Sequence, residues 1–229
     1  MDAIILAGGR GTRVAELAPE YYKPLLPVDG VPMVTLAVDL ALRSGVTCPV
    51  VVAAPANAED ICRALDGRPA LVVIQRQPLG AGHALLLGLQ ASPRPLVDCD
   101  RVLVLLSDNV SSDADVQAVT AHPSAVGIKY IEREHAFRFA RLDDDGRWVE
   151  KEPILNLDGP PIACWVGPFV GWRNRMTRVL AQAVDERKPD TEVYIGPHLG
   201  KFMYAETKCP LVPVESLDLG VADEYRRLA

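Results

Sequence analysis

A chain of 229 residues with 49% hydrophobic and 24% charged residues has ordinary globular composition, which excludes a disordered or low-complexity protein. Its formal charge of −6 argues against non-specific nucleic-acid binding, which needs clustered Lys and Arg. Five scattered cysteines (Cys48, Cys62, Cys99, Cys164, Cys209) with no C-x-x-C pair exclude a disulfide framework or a zinc knuckle.

No apolar run approaches the ~20 residues that span a bilayer, and no signal peptide precedes the first strand. A cytoplasmic protein with reduced thiols and no membrane partner is therefore expected. The length suits one domain over residues 1–229, with room for a small lobe.

In chain order, Ala3–Ala7 is a short continuous apolar run ended by glycines, as a fully buried strand of a parallel sheet reads. Similar runs lie at Val50–Ala53, Leu71–Ile74 and Val102–Leu106. Helical patterns separate them: Pro32 to Ser44 with Gly45 as C-cap, Asn57 to Leu65, and His83 to Gln90. Strands alternating with helices predict βαβ units and a mostly parallel, doubly wound α/β sheet. After Asp108 the reading becomes strands at Ala125–Ile131, Arg138–Leu142 and Ala163–Val170. A turn at Asp143 to Gly146 and helices at Arg175–Glu186 and Val221–Leu228 complete it, predicting a mixed continuation of the sheet.

The segment with the most chemistry is Leu6-Ala7-Gly8-Gly9-Arg10-Gly11-Thr12-Arg13, followed by Lys23-Pro24-Leu25-Leu26-Pro27-Val28. Glycines directly after a buried strand let successive N–H groups face one anion. Arg13 adds a bidentate phosphate contact and Lys23 a point charge. A dinucleotide fingerprint fails because Val14 stands where its third glycine belongs. A phosphate loop of the Gly-Lys-Ser/Thr type is absent. Asp108 closes the fourth strand, and ligands of open α/β sheets bind at the carboxyl ends of strands.

These segments resemble the signature L-A-G-G-x-G-T-R…K-P-L-L-P-V of the sugar-1-phosphate nucleotidyltransferases, the family of glucose-1-phosphate thymidylyltransferase and N-acetylglucosamine-1-phosphate uridylyltransferase. The resemblance implies a Rossmann-like nucleotidyltransferase domain with a mixed central sheet, flanking helices and a small acceptor-binding lobe. It implies that Leu6, Ala7, Gly8, Gly9, Gly11, Thr12 and Arg13 wrap a nucleoside triphosphate. Arg13 and Lys23 would stabilise the charge that develops during transfer, with Lys23 also touching substrate.

Gln75-Arg76-Gln77-Pro78-Leu79-Gly80-Ala81-Gly82-His83-Ala84 resembles the base-reading stretch, with Gln75 and Gly80 as readers. An amide offers both a donor and an acceptor, suited to uracil or thymine; His83 reads as a helix-start residue without chemistry. Ser107-Asp108-Asn109 resembles the family's G-D-N, and Leu217-Asp218-Leu219-Gly220 its W-x-D-x-G-T, with Ser216 and Val221 replacing the aromatic and the Thr. The resemblance implies that Asp108 and Asp218 bind Mg²⁺ and that Asp108 is catalytic. Two carboxylates with phosphate oxygens and water suit that ion.

Val149-Glu150-Lys151-Glu152-Pro153 resembles the family's E-K-P, with Glu152 inserted. It implies that Glu150, Lys151 and Gly167 bind a sugar 1-phosphate, with Trp165 and Glu192 nearby. Arg138, where relatives carry Gly, suggests an altered acceptor pocket.

The reading is nucleotidyl transfer from dTTP or UTP to a sugar 1-phosphate. A cytidylyl- or guanylyltransferase for another phosphate, a silent nucleotide-sugar sensor, and assembly into a homo-oligomer all remain open on sequence.

Overall fold

A computed structural model describes residues 1–9, 22–93, 101–202 and 210–218. The expected helix at Val221–Leu228, with Arg10 to Val14, Cys99 and Cys209, lies outside the described residues.

In chain order the elements are β1 (Asp2–Ala7), β2 (Pro27–Val28), β3 (Val31–Pro32), α1 (Met33–Arg43), β4 (Val50–Ala53), α2 (Ala58–Ala64), β5 (Leu71–Ile74) and α3 (Ala81–Ala91). There follow β6 (Arg101–Leu106), β7 (Asn109–Val110), α4 (Asp113–Thr120), β8 (Ala125–Ile131), α5 (Arg133–Ala136), β9 (Arg141–Leu142) and β10 (Trp148–Val149). The last are β11 (Ile162–Trp172), α6 (Arg173–Asp185), α7 (Leu199–Phe202), β12 (Leu211–Pro213) and β13 (Leu217–Asp218).

The main sheet runs β10-β9-β11-β6-β1-β4-β5, with β8 beside β11 and β12 beside β8. Strands β6, β1, β4 and β5 are parallel, as the alternating pattern predicts. β11 is antiparallel to β6, β8 and β9, which makes the sheet mixed.

Both faces of β1 are buried, and its side chains divide by period two. Ile4 and Leu6 join a core with Leu85 and Leu89 of α3 and Met176 and Leu180 of α6. Ala3, Ile5 and Ala7 join a second core with Val34 and Val38 of α1 and Ile61 of α2. The middle strand is thus sandwiched between helical layers, and its carboxyl end emerges between them. Burial also pushes the Cys164 thiol up to about 12, against the pull of Arg141, which disfavours the thiolate.

A buried polar knot fixes the other end of β1. Asp2 accepts from Ser92 Oγ (2.6 Å), and its carboxylate lies 3.5 Å from Arg173 Nη1. Arg173 also donates to Leu89 O (3.0 Å), so one side chain ties β1, the end of α3 and the start of α6.

Two expectations need correction. The strand expected at Arg138–Leu142 is only Arg141–Leu142, because Arg133–Ala136 forms a helical turn just before it. β11 is longer than expected and changes register between Trp165 and Phe169, so its first half pairs with β8 and β9 and its second half with β8 and β6.

Candidate active site

The carboxyl ends of β1, β4, β5 and β6 open into a cavity of about 910 Å³, the position expected for ligands of a parallel sheet. Gly8 and Gly9 line it after β1, Ala54 after β4, Gln75 after β5, and Ser107 and Asp108 after β6. The opposite wall carries Glu150, Lys151, Trp165, Glu192 and Ile195.

The turn after β1 is pinned by buried polar side chains. Asn57 donates to Ala7 O (2.9 Å) and accepts from Ala54 N (2.9 Å), tying the ends of β1 and β4. It is placed to cap α2 but makes no side-chain cap bond there. Ser107 donates to Leu6 O (2.8 Å) and ties β1 to β6. Neither bond could be foreseen from sequence spacing.

Lys23 and the two aspartates come together through packing. Asp29 and Gly30, both with positive φ, turn β2 back on β3. Leu26, Val28 and Met33 then pack with Val110 of β7 and Leu217 of β13. β13 pairs antiparallel with β7, Asp218 opposite Asn109, which brings Asp218 beside Asp108.

The Lys23 ammonium hydrogen-bonds Asp108 Oδ2 and lies 4.0 Å from Asp218 Oδ1. With its amide oriented to satisfy both neighbours, Asn109 donates to Asp108 Oδ1 (3.3 Å) and accepts from Gly167 N (3.2 Å). Two hard oxygen donors thus face one positive charge. That donor set suits a small oxygen-seeking cation completed by phosphate oxygens and water.

Asp115 steadies this corner from α4. It forms a capping box with Ser112 and also accepts from Glu215 N (2.8 Å) and Ser216 Oγ (3.2 Å). Ser216 is thereby buried just before Asp218.

At the far wall Glu150 Oε2 accepts from Gly196 N (2.9 Å). Burial raises the Glu150 pKa above its ordinary value, against the Gly196 N–H and the Lys151 charge, while Glu192 adds to the rise. Lys151 bonds Glu192 (2.9 Å) and sits 4.5 Å from the Tyr194 ring centroid. Burial works against its ammonium, but Glu192 and Tyr194 outweigh this and raise its pKa. Lys151 has φ +59, a left-handed backbone conformation within Glu-Lys-Glu-Pro. Glu150 and Lys151 line the cavity and Glu152 does not.

Gly167 and Arg138 sit outside the set of cavity-lining residues. Gly167 is the residue implied beside the sugar. Its φ is +147, and a Cβ there would come within 2.9 Å of Ser216 Oγ, so its glycine makes room for the segment leading to Asp218. Arg138, expected to alter the acceptor pocket, also lies off the lining, with its guanidinium 5.8 Å from the Phe137 ring centroid. Ala7 is buried behind the loop; Gly11, Thr12 and Arg13 lie outside the described residues.

Gly80 is where the walls meet. Its φ is +96, and a Cβ would stand 2.6 Å from Val193 O. That close approach lets Val193 N bond Leu79 O and Gly82 N bond Val193 O, both at 2.8 Å, and so presents Glu192 to the cavity. Gly80→Ala is expected to cost at least about 1–3 kcal/mol from backbone strain alone. Urea denaturation checks this, and an unchanged midpoint would contradict the assignment.

The family model of the MobA-like NTP transferase domain matches residues 3–193. The chain belongs to this family. Among curated relatives, the bifunctional protein GlmU of Pelotomaculum thermopropionicum is 38% identical over 166 residues, covering 70% of this chain and 35% of that protein. Glucose-1-phosphate thymidylyltransferase of Mycolicibacterium smegmatis is 34% identical over 162 residues, covering 66% of this chain and 54% of that protein. The chain thus matches only a part of each.

A solved UDP-glucose pyrophosphorylase complexed with UDP-glucose superposes with TM-score 0.72 at 19% identity, covering 99% of this chain and 96% of that one. The inositol-1-phosphate CTP transferase of T. maritima gives 0.70 at 17%, covering 97% and 90%. At such identities these neighbours show the fold, a mostly parallel sheet flanked by helices, and do not choose a base. Among the described residues no helix is long and apolar enough to cross a membrane.

Proposed function

We propose that this single domain, residues 1–229, transfers a nucleotidyl group from a nucleoside triphosphate, dTTP or UTP preferred, to a sugar 1-phosphate. The observation that carries the reading is one cavity with two differently equipped ends. At one end a glycine turn meets Lys23 between Asp108 and Asp218. At the other, Glu150, Lys151 and Glu192 form a polar wall.

In the reaction an acceptor phosphate oxygen forms a bond to the α-phosphorus of the triphosphate. The bond from that phosphorus to the β-bridging oxygen breaks in line, and pyrophosphate leaves. Phosphoryl-type transfer asks for positioning and charge stabilisation more than for a protein nucleophile. Gly8 and Gly9, with Gly11 and Thr12, offer backbone N–H groups to the phosphates. Lys23 and Arg13 balance the charge that grows on the departing pyrophosphate.

Lys151 places the acceptor phosphate, and the Glu150 carboxylate accepts from sugar hydroxyls. Asp108 and Asp218 would hold Mg²⁺, which when bound neutralises phosphate charge. Gln75 and Gly80 read the base; the Gly80 carbonyl already accepts from Ala84 N and Gln75 Nε2, so its N–H is the group offered to the base.

Pyrophosphate release with a panel of triphosphates and sugar 1-phosphates tests this. UTP or dTTP should give the highest kcat/KM, and Gln75→Ala should flatten the preference among bases while leaving turnover metal-dependent. A buried polar group left unpaired by the wrong base costs about 1–3 kcal/mol, enough to rank the triphosphates clearly. A higher kcat/KM for ATP or GTP than for both pyrimidine triphosphates would refute the base assignment.

A further inference from the structure

The Gln75 side chain is buried at the end of β5, and the partners of its amide nitrogen are fixed. Nε2 donates to Gly80 O at 3.0 Å. A carbonyl can only accept, so the nitrogen must face it and the oxygen cannot. Nε2 also lies 3.1 Å from His83 Nδ1, in the first turn of α3. An amide nitrogen has no lone pair to offer, so His83 Nδ1 must accept the second hydrogen and must itself be unprotonated.

Both amide hydrogens are then committed to the protein. The Gln75 oxygen is left facing Gly8, where a Cβ would stand 3.5 Å from it, at the lining of the cavity. Gln75 is therefore an acceptor toward the base, not the donor-and-acceptor pair that its chemistry alone allows.

We propose that His83 is a positioning residue, which holds the Gln75 oxygen toward the base and so makes the site favour a ring N–H, as in uracil or thymine, over cytosine. The inference rests on the proposed nucleotidyl transfer. An imide N3–H would donate to that oxygen, whereas cytosine N3 presents a lone pair to it.

Only neutral His83 can play this part. Burial holds its pKa below the ordinary value; the Gln77 backbone pulls it up, and the Arg187 charge pushes it down again. No other charged side chain lies on α3 itself. On the segment docked against the start of α3, Glu192 is the charged residue, and it is paired with Lys151.

The test is calorimetric binding of UTP and of CTP, with Mg²⁺, to the wild type, His83→Leu and His83→Asn. Asn is neutral and can offer an oxygen near the place of Nδ1. The wild type should prefer UTP, and His83→Leu should shrink the UTP-to-CTP affinity ratio by about tenfold or more, the scale of a misdirected buried hydrogen bond. His83→Asn should restore most of the ratio. Acidic buffer should narrow the ratio in the wild type and leave it steady in His83→Asn.

A ratio unchanged in His83→Leu overturns the role of His83 and leaves the transfer reaction standing. Equal weakening of both nucleotides without rescue by Asn, or a wild type that prefers CTP, overturns it too. A wild type that binds no triphosphate overturns both readings. If His83→Leu does not fold, the His83→Asn ratio and its pH response decide alone.

Discussion

Asp108→Asn is expected to lower kcat by about 10²-fold or more, the scale seen when a charge-stabilising group is removed from a transfer site. Asp108 is held on both sides, by the Lys23 ammonium and by Asn109. The amide would keep the shape and remove the negative charge. The loss should therefore fall on kcat and on metal affinity rather than on folding. Asp218→Asn should follow the same pattern, since the β7–β13 ladder sets both carboxylates around one cation. Excess chelator should abolish turnover of the wild type. Steady-state kinetics across a metal titration check these outcomes; full activity in excess chelator would rule out the metal role.

Arg173→Ala is expected to cost about 3–5 kcal/mol of folding stability, because it removes a buried cation 3.5 Å from the Asp2 carboxylate. Against a typical total of about 5–15 kcal/mol that is a large fraction. It also removes the donors that hold the carbonyl of Leu89. The site is far from this knot, at the opposite end of β1. Molecules that remain folded should turn over normally. A double variant, Asp2→Leu with Arg173→Met, should recover much of the loss, since a buried pair exchanged for apolar groups of similar size is often neutral. Chemical denaturation measures both. A loss below about 1 kcal/mol for Arg173→Ala would show that the ion pair contributes little.

The parallel half of the fold was legible because its strands are short, fully apolar and separated by helices. Val50–Ala53 and Leu71–Ile74 match to the residue. α4 was missed, although Ser112 and Asp115 form the capping pair that marks a helix start. Its apolar stripe is only Val116 and Val119, too thin for periodicity to reveal. The β2–β3 hairpin carried its own signal in Asp29-Gly30, hidden by prolines that read as loop.

At the site, the glycine turn, Lys23 and Asp108 were legible from motif and strand end. The proximity of Asp218 was not readable from spacing, because it depends on a two-residue ladder between segments far apart in the chain. The packing of Gly167 against Ser216 could not be read from sequence, because a glycine there looks the same whether it faces a ligand or makes room for a neighbouring segment. His83 reads in sequence only as a helix-start residue; its contact with Gln75, which lies across a loop at the end of a strand, is visible only in the fold.

Whether the cavity joins two phosphates is decided by ³¹P NMR of the protein incubated with Mg²⁺, UTP or dTTP, and a sugar 1-phosphate. Resonances of a diphosphate-bridged product and of free pyrophosphate should grow together in equal amounts, and only when both substrates are present. Triphosphate consumed without the acceptor, or an acceptor phosphate resonance that never changes with any triphosphate, would contradict the transfer reaction.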